Sequence, residues 1–297
     1  MNLPQISNEA VEWEYKGWRF GGWLSEHSEV DIPDKIVIAF HGFDRNAKEM
    51  LNFRPLINDR TAILSISLLH HNKSAPLPPI PLDEALEPII MIEGIEWFIA
   101  QRYSNKQEIK LELLGYSMGS RVALTLFEKF YHKFSRVIVL APDGLKMGAM
   151  YWFVVNTRIG KYCWGLIDKN PKTNRWLIDV MRSMRLISQH KYRFGRYHTD
   201  SAEIRRRVAY GWAGHKLFWP NKNALVKAIY ENEGSEKKIF FIFGSRDKII
   251  PYSWSKPLRN ALSKSIKGVY FIEVSSGHVM RHDSIVQEIK QAITSAK

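Results

Sequence analysis

Short runs of apolar, β-branched residues alternate along this chain with segments of helical spacing, and no other feature constrains its fold as strongly. The runs that predict buried strands are residues 35–40, 62–69, 109–114, 136–140, 238–243 and 269–274. Helical spacing is found in residues 83–101, 121–130, 253–262 and 283–295. Because repeated strand–helix units form parallel strands covered by helices on both faces, the sequence predicts an α/β fold with a mostly parallel sheet.

Two segments depart from this alternation. Residues 11–15 and 18–24 alternate apolar and polar side chains around Lys16-Gly17, which predicts a hairpin. After Gly144 the alternation stops, and basic and aromatic residues interleave until residue 220. We therefore predict a core formed by residues 1–145 and 221–297, with residues 146–220 inserted as a helical cap.

The positive charge is concentrated in the second of these segments. The chain carries a net charge of +13, and residues 146–235 hold 17 Lys or Arg against 6 Asp or Glu, an excess of +11. Such a patch favours an anionic substrate or an anionic lipid surface, whereas the alternative is a solvated surface that only aids solubility. The apolar residues 147–155, close to Arg158 and Lys161, fit contact with a membrane surface or packing of the cap against the sheet.

Composition excludes several other classes of protein. The single cysteine, Cys163, rules out an intramolecular disulfide and a thiolate zinc cluster. The first residues lack the pattern of a signal peptide, and no apolar run reaches the roughly 18–20 residues that span a bilayer. We therefore expect a cytoplasmic protein. Nucleic-acid binding is not favoured, since only the mixture of basic and aromatic residues suggests it.

Residues 115–119 read Gly-Tyr-Ser-Met-Gly and fit the pattern G-x-S-x-G. The motif follows a predicted strand and opens a predicted helix, which is the context of a nucleophile elbow. The turn is so tight that side chains at its two glycine positions would clash. The helix behind it offers unpaired N–H groups to developing negative charge. The sequence thus predicts Ser117 as a nucleophile.

A nucleophilic serine needs a base and a group that orients the base. Asp247 and His278 each follow a predicted strand, in the order Ser, Asp, His that this arrangement requires. We assign His278 as the base and Asp247 as its orienting acid. Asp143 is a rival acid because it also follows a strand, and His282 is a weaker rival base.

The sequence His-Gly-Phe at residues 41–43 follows another predicted strand. The backbone N–H groups of Phe43 and Met118 are the predicted oxyanion hole. Candidate substrate-binding residues are His41, Tyr116, Trp152 and Arg205, although His41 also suits a structural role in its loop. No metal site is expected, since the adjacent His70 and His71 point in different directions.

In these motifs the sequence resembles the α/β-hydrolase superfamily, in the branch that carries a helical cap. The resemblance lies in residues 41–43, 115–119, 244–251 and 277–278. It implies an eight-stranded, mostly parallel sheet and hydrolysis without a cofactor. Ser117 distinguishes the chain from the epoxide-hydrolase and dehalogenase members, which have aspartate in that position.

The leading functional hypothesis is hydrolysis of a carboxylic ester or thioester through an acyl-enzyme on Ser117. The basic cap suggests an anionic or lipid-like small-molecule substrate, and peripheral contact with a membrane remains an alternative use of the same charge. Two other functions stay open: hydrolysis of a C–C bond by the same triad, and ligand binding without turnover. The sequence does not predict an oligomeric state.

Overall fold

The computed structural model describes residues 5–58, 60–103, 109–231, 237–262 and 266–296. A single mixed sheet forms its centre, with strand order β1-β2-β4-β3-β6-β7-β8-β9 and a two-residue strand, β5, paired with β2. The strands are β1 (Ile6–Tyr15), β2 (Trp18–His27), β3 (Lys35–Phe40), β4 (Thr61–Ile66), β5 (Ala75–Pro76), β6 (Lys110–Tyr116), β7 (Phe134–Leu140), β8 (Lys238–Gly244) and β9 (Val269–Val274).

Most of the sheet is parallel, as predicted. β4, β3, β6, β7, β8 and β9 pair in parallel, whereas β1, β2 and β5 join by antiparallel pairing. The predicted hairpin is β1 and β2, joined at Lys16-Gly17, where both residues have positive φ. Eight strands form the main order of the sheet, and the short β5 adds a ninth.

Helices cover both faces of the sheet. The helices are α1 (Pro88–Arg102), α2 (Met118–Phe130), α3 (Ala149–Asn156), α4 (Arg158–Lys169), α5 (Pro171–Ser183), α6 (Gln189–Asp200), α7 (Ala202–Arg206), α8 (Trp212–Gly214), α9 (Lys222–Tyr230), α10 (Lys256–Ala261) and α11 (Asp283–Ser295). One hydrophobic core joins the sheet to α1, α2 and α9. A second core joins the opposite face to α11 and to the 3₁₀ helix Ala47–Leu56.

Several predicted boundaries are wrong, and two of them have a clear local cause. The helix expected over residues 83–101 begins at Pro88, since proline is suited to the first helical position and holds the preceding Glu87 in an extended conformation. The strand expected over residues 62–69 ends at Ile66. Beyond that point the N–H groups of Leu68 and Leu69 donate to histidine rings and not to a neighbouring strand.

Helices α3 to α8 follow one another between β7 and β8, in the segment that the sequence assigns to a cap. None of the residues of α5 is buried. The division into a core and a cap domain remains a prediction. In the described ranges, no helix combines the length and apolar character that crossing a membrane requires.

The parallel strands place their carboxyl ends along one edge of the sheet. β3 ends before His41, β6 before Ser117 and β7 before Ala141, while the loops that contain Asp247 and His278 follow β8 and β9. Open α/β sheets bind ligands at this edge. The fold thus brings five loops from distant parts of the sequence to one place.

Candidate active site

Ser117 lies in the sharp turn between β6 and α2. Its backbone has φ 51° and ψ −120°, a strained conformation for a residue with a side chain. A Cβ at Gly119 would lie 2.0 Å from the carbonyl oxygen of Phe40, and one at Gly115 would lie 2.5 Å from Cα of Ser120. The two glycines of the motif are therefore sterically required, because any side chain would meet backbone that cannot move aside.

A chain of hydrogen bonds connects Ser117 with the two other predicted site residues. The Oγ of Ser117 lies 3.0 Å from Nε2 of His278, and Nδ1 of His278 lies 2.7 Å from Oδ2 of Asp247. With the proton on Nδ1 donated to the carboxylate, Nε2 is free to accept from the serine hydroxyl. The loops after β6, β8 and β9 thus meet as the order of the motifs predicts.

Asp247 is held rigidly in this arrangement. Its side chain is fully buried, and Oδ1 accepts hydrogen bonds from the N–H groups of Ile249 and Ile250 at 2.8 and 3.0 Å. The rival acid, Asp143, takes a different partner. Its Oδ2 lies 3.8 Å from Nη1 of Arg121, and its Oδ1 accepts from Gly144 N–H at 2.9 Å. The structure therefore places Asp247, and not Asp143, against the histidine.

The loop that contains Gly42 and Phe43 packs directly against Ser117. A Cβ at Gly42 would lie 3.2 Å from Cβ of Ser117, and Phe43 and Met118 line the same cavity as the serine. Met118 opens α2, so its N–H has no acceptor within the helix. Within the described residues, neither N–H donates to another group, which leaves both available to an oxyanion.

Two buried histidines, His41 and His71, hold this loop in place, and a third, His215, holds the adjoining segment at Leu69. His41 bridges the carbonyl of Gly42 and the N–H of Leu68, His71 bridges Leu69 and the N–H of Asp44, and His215 bridges Gly211 and the N–H of Leu69. In each ring one nitrogen donates to a carbonyl and the other accepts from an N–H, so each ring is neutral. Burial lowers the pKa of His71 to about 4 and that of His215 to about 3, and it also depresses the pKa of His41.

The four candidate substrate-binding residues occupy different positions. His41 is fully buried in the loop that it supports. Tyr116 is buried too, and its hydroxyl donates to the carbonyl of His278 at 2.6 Å, so it fixes the backbone of the base. Trp152 is 52% exposed on α3 and is not among the residues that line the cavity beside Ser117.

Arg205 is not placed for substrate binding. Its guanidinium is buried against Asp168 at 2.8 Å and also donates to the carbonyl oxygens of Thr199 and Asp200. The side chain thus ties α7 to α4 and to the end of α6. The sequence pattern suggested an exposed basic cluster, but it could not show that Arg205 faces inward.

The cavity beside Ser117 has a volume of about 230 Å³ and lies between the sheet edge and the helices that follow β7. Its walls are mainly apolar and aromatic, with a few charged groups: Phe43, Met118, Arg121, Asp143, Lys146, Gly148, Met150, Tyr151, Phe194, His198, Trp212, Trp219, Ile249, Ile250 and Trp254. Sequence reasoning did not identify Arg121. The signal was a lone charge in the otherwise apolar face of α2.

The residues at this edge do not form a metal centre. In the part of the chain that the structure describes, no three His, Cys, Asp or Glu side chains converge as metal ligands. The ring nitrogens of His41, His71 and His215 are already engaged with backbone groups. The hydrogen-bonded chain Ser117–His278–Asp247 is the arrangement at this edge that is suited to proton transfer and nucleophilic attack.

Comparison with known proteins identifies the fold. No known family profile matches the sequence, and no curated protein matches it either. Solved structures do match over nearly the whole chain. An α/β hydrolase from a deep-sea metagenome library is 11% identical with a TM-score of 0.61, covering 97% of this chain and 98% of its own.

Two further structures agree. A thioesterase domain from the curacin biosynthetic pathway is 11% identical with a TM-score of 0.58, covering 97% of this chain and 100% of its own. An esterase from Pyrococcus furiosus is 16% identical with a TM-score of 0.57, covering 97% of this chain and 89% of its own. The chain has the fold of the α/β-hydrolase superfamily. A haloalkane dehalogenase from Bradyrhizobium elkani matches as well, so the fold alone leaves the reaction open.

Proposed function

We propose that this chain is a serine hydrolase that cleaves a carboxylic ester or thioester of a small molecule through an acyl-enzyme on Ser117. The observation that carries the proposal is the continuous hydrogen-bonded chain from Ser117 through His278 to the buried Asp247. Residue type, order and distances together match the requirements of serine-mediated acyl transfer. The esterases and thioesterase among the structural neighbours fit the same chemistry.

In the first half of the proposed reaction, Ser117 Oγ gives its proton to Nε2 of His278 and bonds to the acyl carbon. The carbonyl oxygen becomes an oxyanion, which accepts from the N–H groups of Phe43 and Met118. Asp247 stabilises the imidazolium without taking its proton. When the intermediate collapses, His278 protonates the departing alcohol or thiol, and the acyl group stays on Ser117.

In the second half, a water molecule gives a proton to Nε2 of His278 and its oxygen bonds to the acyl carbon. The second intermediate collapses, the bond to Ser117 Oγ breaks, and His278 returns the proton to the serine. The carboxylic acid leaves and the free enzyme is restored. Removing one oxyanion donor typically lowers kcat about 10²–10³-fold, so the position of the Gly42–Phe43 loop matters for rate.

The first test is covalent labelling of the purified chain. A fluorophosphonate probe should modify Ser117, and Ser117→Ala should lose both labelling and hydrolysis of p-nitrophenyl esters. Ser253→Ala is the matched control, because Ser253 is exposed near the cavity and should leave labelling unchanged. Folded protein that is not labelled, or that is labelled at another residue, contradicts the proposal. Labelling without turnover of any ester or thioester points to the C–C hydrolase or the binding protein.

We also propose that the helices after β7 contact an anionic membrane surface. Large apolar side chains are exposed on α4 and α5: Ile159, Tyr162, Leu166, Trp176 and Leu177. Exposed basic residues, including Arg158, Lys161, Lys172 and Arg175, lie on the same two helices. Apolar side chains flanked by Lys and Arg are the pattern of helices that rest on anionic headgroups.

A further inference from the structure

Arg121 is the largest fully buried side chain in the described residues, and the proposed mechanism gives it no role. It lies on α2 one helical turn after Ser117, and its side chain is only 2% exposed. It is nevertheless part of the wall of the cavity that contains Ser117. An arginine keeps its positive charge even when buried, because the guanidinium is not deprotonated in proteins.

The neighbours of Arg121 leave that charge poorly compensated. Its guanidinium lies against the neighbouring rings of Tyr151 and Trp219, at 4.5 and 5.1 Å from their centroids, which are themselves 5.2 Å apart. The nearest carboxylate oxygen, Oδ2 of Asp143, is 3.8 Å from Nη1, which is too far for a hydrogen bond. Nε and Nη2 donate to no group in the described residues. Such buried donors are costly unless a partner satisfies them.

The two free nitrogens lie on the same edge of the guanidinium. Two parallel N–H groups on one edge match the spacing of two oxygens in a carboxylate or phosphate, and Arg is the side chain best suited to this bidentate contact. The two aromatic rings pack against the guanidinium and restrict its orientation. Lys146 adds a second positive charge to the cavity wall, against one negative charge from Asp143.

We propose that Arg121 binds an anionic group of the substrate, a carboxylate or a phosphate, while the scissile carbonyl lies at Ser117. This inference rests on the proposed hydrolase function and names its substrate class. Ser117 immediately precedes α2 and Arg121 follows it by four residues, a rise of about 6 Å along the helix axis, so a short spacer would separate the two groups. The cavity of about 230 Å³ also favours a small acyl or alcohol portion.

Asp143 is the internal competitor for Arg121. Nε and Nη2 are closed to solvent, so an anion must displace a neighbouring group to reach them. The side chain of Asp143 is partly exposed, and its Oδ1 is anchored by Gly144 N–H. Its Oδ2 lies 3.8 Å from Nη1 of Arg121, so the carboxylate offsets part of the positive charge and repels an arriving anion. Replacing this carboxylate by an amide should favour the anion.

The test compares esters that differ only in charge. Substrates are the p-nitrophenyl ester of succinic acid with its second carboxylate free, the same ester with that group methylated, and a phosphate-bearing analogue. We expect wild-type kcat/KM to be about 10–100-fold higher for one of the two anionic esters, as charge-assisted hydrogen bonds imply. If the succinyl ester is preferred, the ligand of Arg121 is a carboxylate. If the phosphate-bearing analogue is preferred, the ligand is a phosphate.

Variants at and around Arg121 locate the source of this preference. Arg121→Met should reduce the ratio of anionic to neutral kcat/KM to near one, and Arg121→Lys should restore part of it. Asp143→Asn should raise the ratio. Arg206→Met, which removes an exposed cap charge, is the control and should leave the ratio unchanged. Because the contact is buried, the preference should persist at high salt, unlike steering by surface charge.

Equal kcat/KM for neutral and anionic esters in wild type overturns the inference. So does a preference that survives in Arg121→Met. If Arg121→Met does not fold, Asp143→Asn still decides, because an unchanged or lower ratio contradicts the role of Arg121. Labelling of Ser117 distinguishes the two levels: a labelled, active enzyme without anion preference refutes only this inference, whereas an unlabelled, inactive one refutes the hydrolase function.

Discussion

At the scale of single residues, the sequence predicts which reactive side chains lie together better than it predicts which side chains line the cavity. Ser117, Asp247 and His278 were each found because a reactive side chain follows a predicted strand, and parallel strands must bring those positions to one edge. Trp152 and Arg205 were chosen only because aromatic and basic residues suit substrates. Neither of them lines the cavity. Composition could not predict this, because it does not determine whether a side chain faces a pocket or another helix.

Arg121 lines the cavity, although its position in the sequence pattern does not predict this. It stands in α2 among residues that are almost all buried, where a charge is unfavourable unless it has a partner. Its partners, Asp143, Tyr151 and Trp219, come from later segments of the chain. Only the folded arrangement shows that this charge faces the cavity beside Ser117.

The identity of the orienting acid gives a prediction at this scale. Asp247→Asn should lower kcat by about 10⁴-fold with little change in the fold, because an amide favours the wrong histidine tautomer. Asp143→Asn should retain turnover, since Asp143 has no contact with His278 and faces Arg121. Hydrolysis of a neutral p-nitrophenyl ester, with circular dichroism to check folding, compares the two. The reverse ranking would make Asp143 the orienting acid.

At the scale of elements, the strands were predictable and the links between loops were not. Apart from the edge strand β9, the strands of the parallel sheet are largely buried, so their sequences are mostly apolar runs that stand out. β5 was missed because Ala75–Pro76 lies in a proline-containing loop without a strand pattern. The histidine bridges were also missed, since His41, His71 and His215 contact backbone groups up to 146 positions away in sequence.

These bridges predict how stability depends on pH. The folded chain keeps His71 neutral, with a pKa of about 4 against an ordinary value of 6.5, first because of burial and then because of Arg207. The contribution of neutral His71 to the free energy of unfolding is fully present above about pH 6.5. It is lost as pH falls toward 4, because His71 binds a proton in the unfolded chain before it does so in the folded chain. At about 1.4 kcal/mol per pKa unit, the titration of His71 alone lowers the free energy of unfolding by roughly 3 kcal/mol at pH 4.

The check is thermal unfolding of the wild type and two variants between pH 7 and pH 4. His71→Gln retains an acceptor for the N–H of Asp44 but does not titrate, so its Tm should fall less steeply than that of the wild type. His132→Gln removes an exposed histidine and should reproduce the wild-type slope. Parallel pH profiles for wild type and His71→Gln would exclude the bridge as the source of acid sensitivity.

At the scale of the whole molecule, the fold was predictable but the substrate was not. The alternation of strands and helices predicts the topology of the sheet. Four motifs at strand ends predict that the site lies at the carboxyl ends of the parallel strands, as in an α/β-hydrolase fold. The helices between β7 and β8 form part of the cavity wall beside Ser117, and their sequence matches no motif. The net charge of these helices is visible in the sequence. The sequence does not show which of the charges form ion pairs, as Arg196 does with Asp179 and Asp200.

The exposed apolar side chains of α4 and α5 give the last prediction, which concerns binding to lipid vesicles. Wild-type protein should sediment with vesicles of phosphatidylglycerol and phosphatidylcholine but not with phosphatidylcholine alone, and salt should weaken this binding. Trp176 is 63% exposed on α5, so Trp176→Ala should weaken vesicle binding about tenfold without loss of Tm, because it removes apolar surface that the proposed membrane contact would cover. Trp97→Ala is the matched control, since Trp97 is also exposed but lies on α1. Equal binding by the two variants, or equal binding to neutral vesicles, would mean that the cap surface does not recognise anionic lipid. The apolar side chains of α4 and α5 would then need a protein partner to cover them.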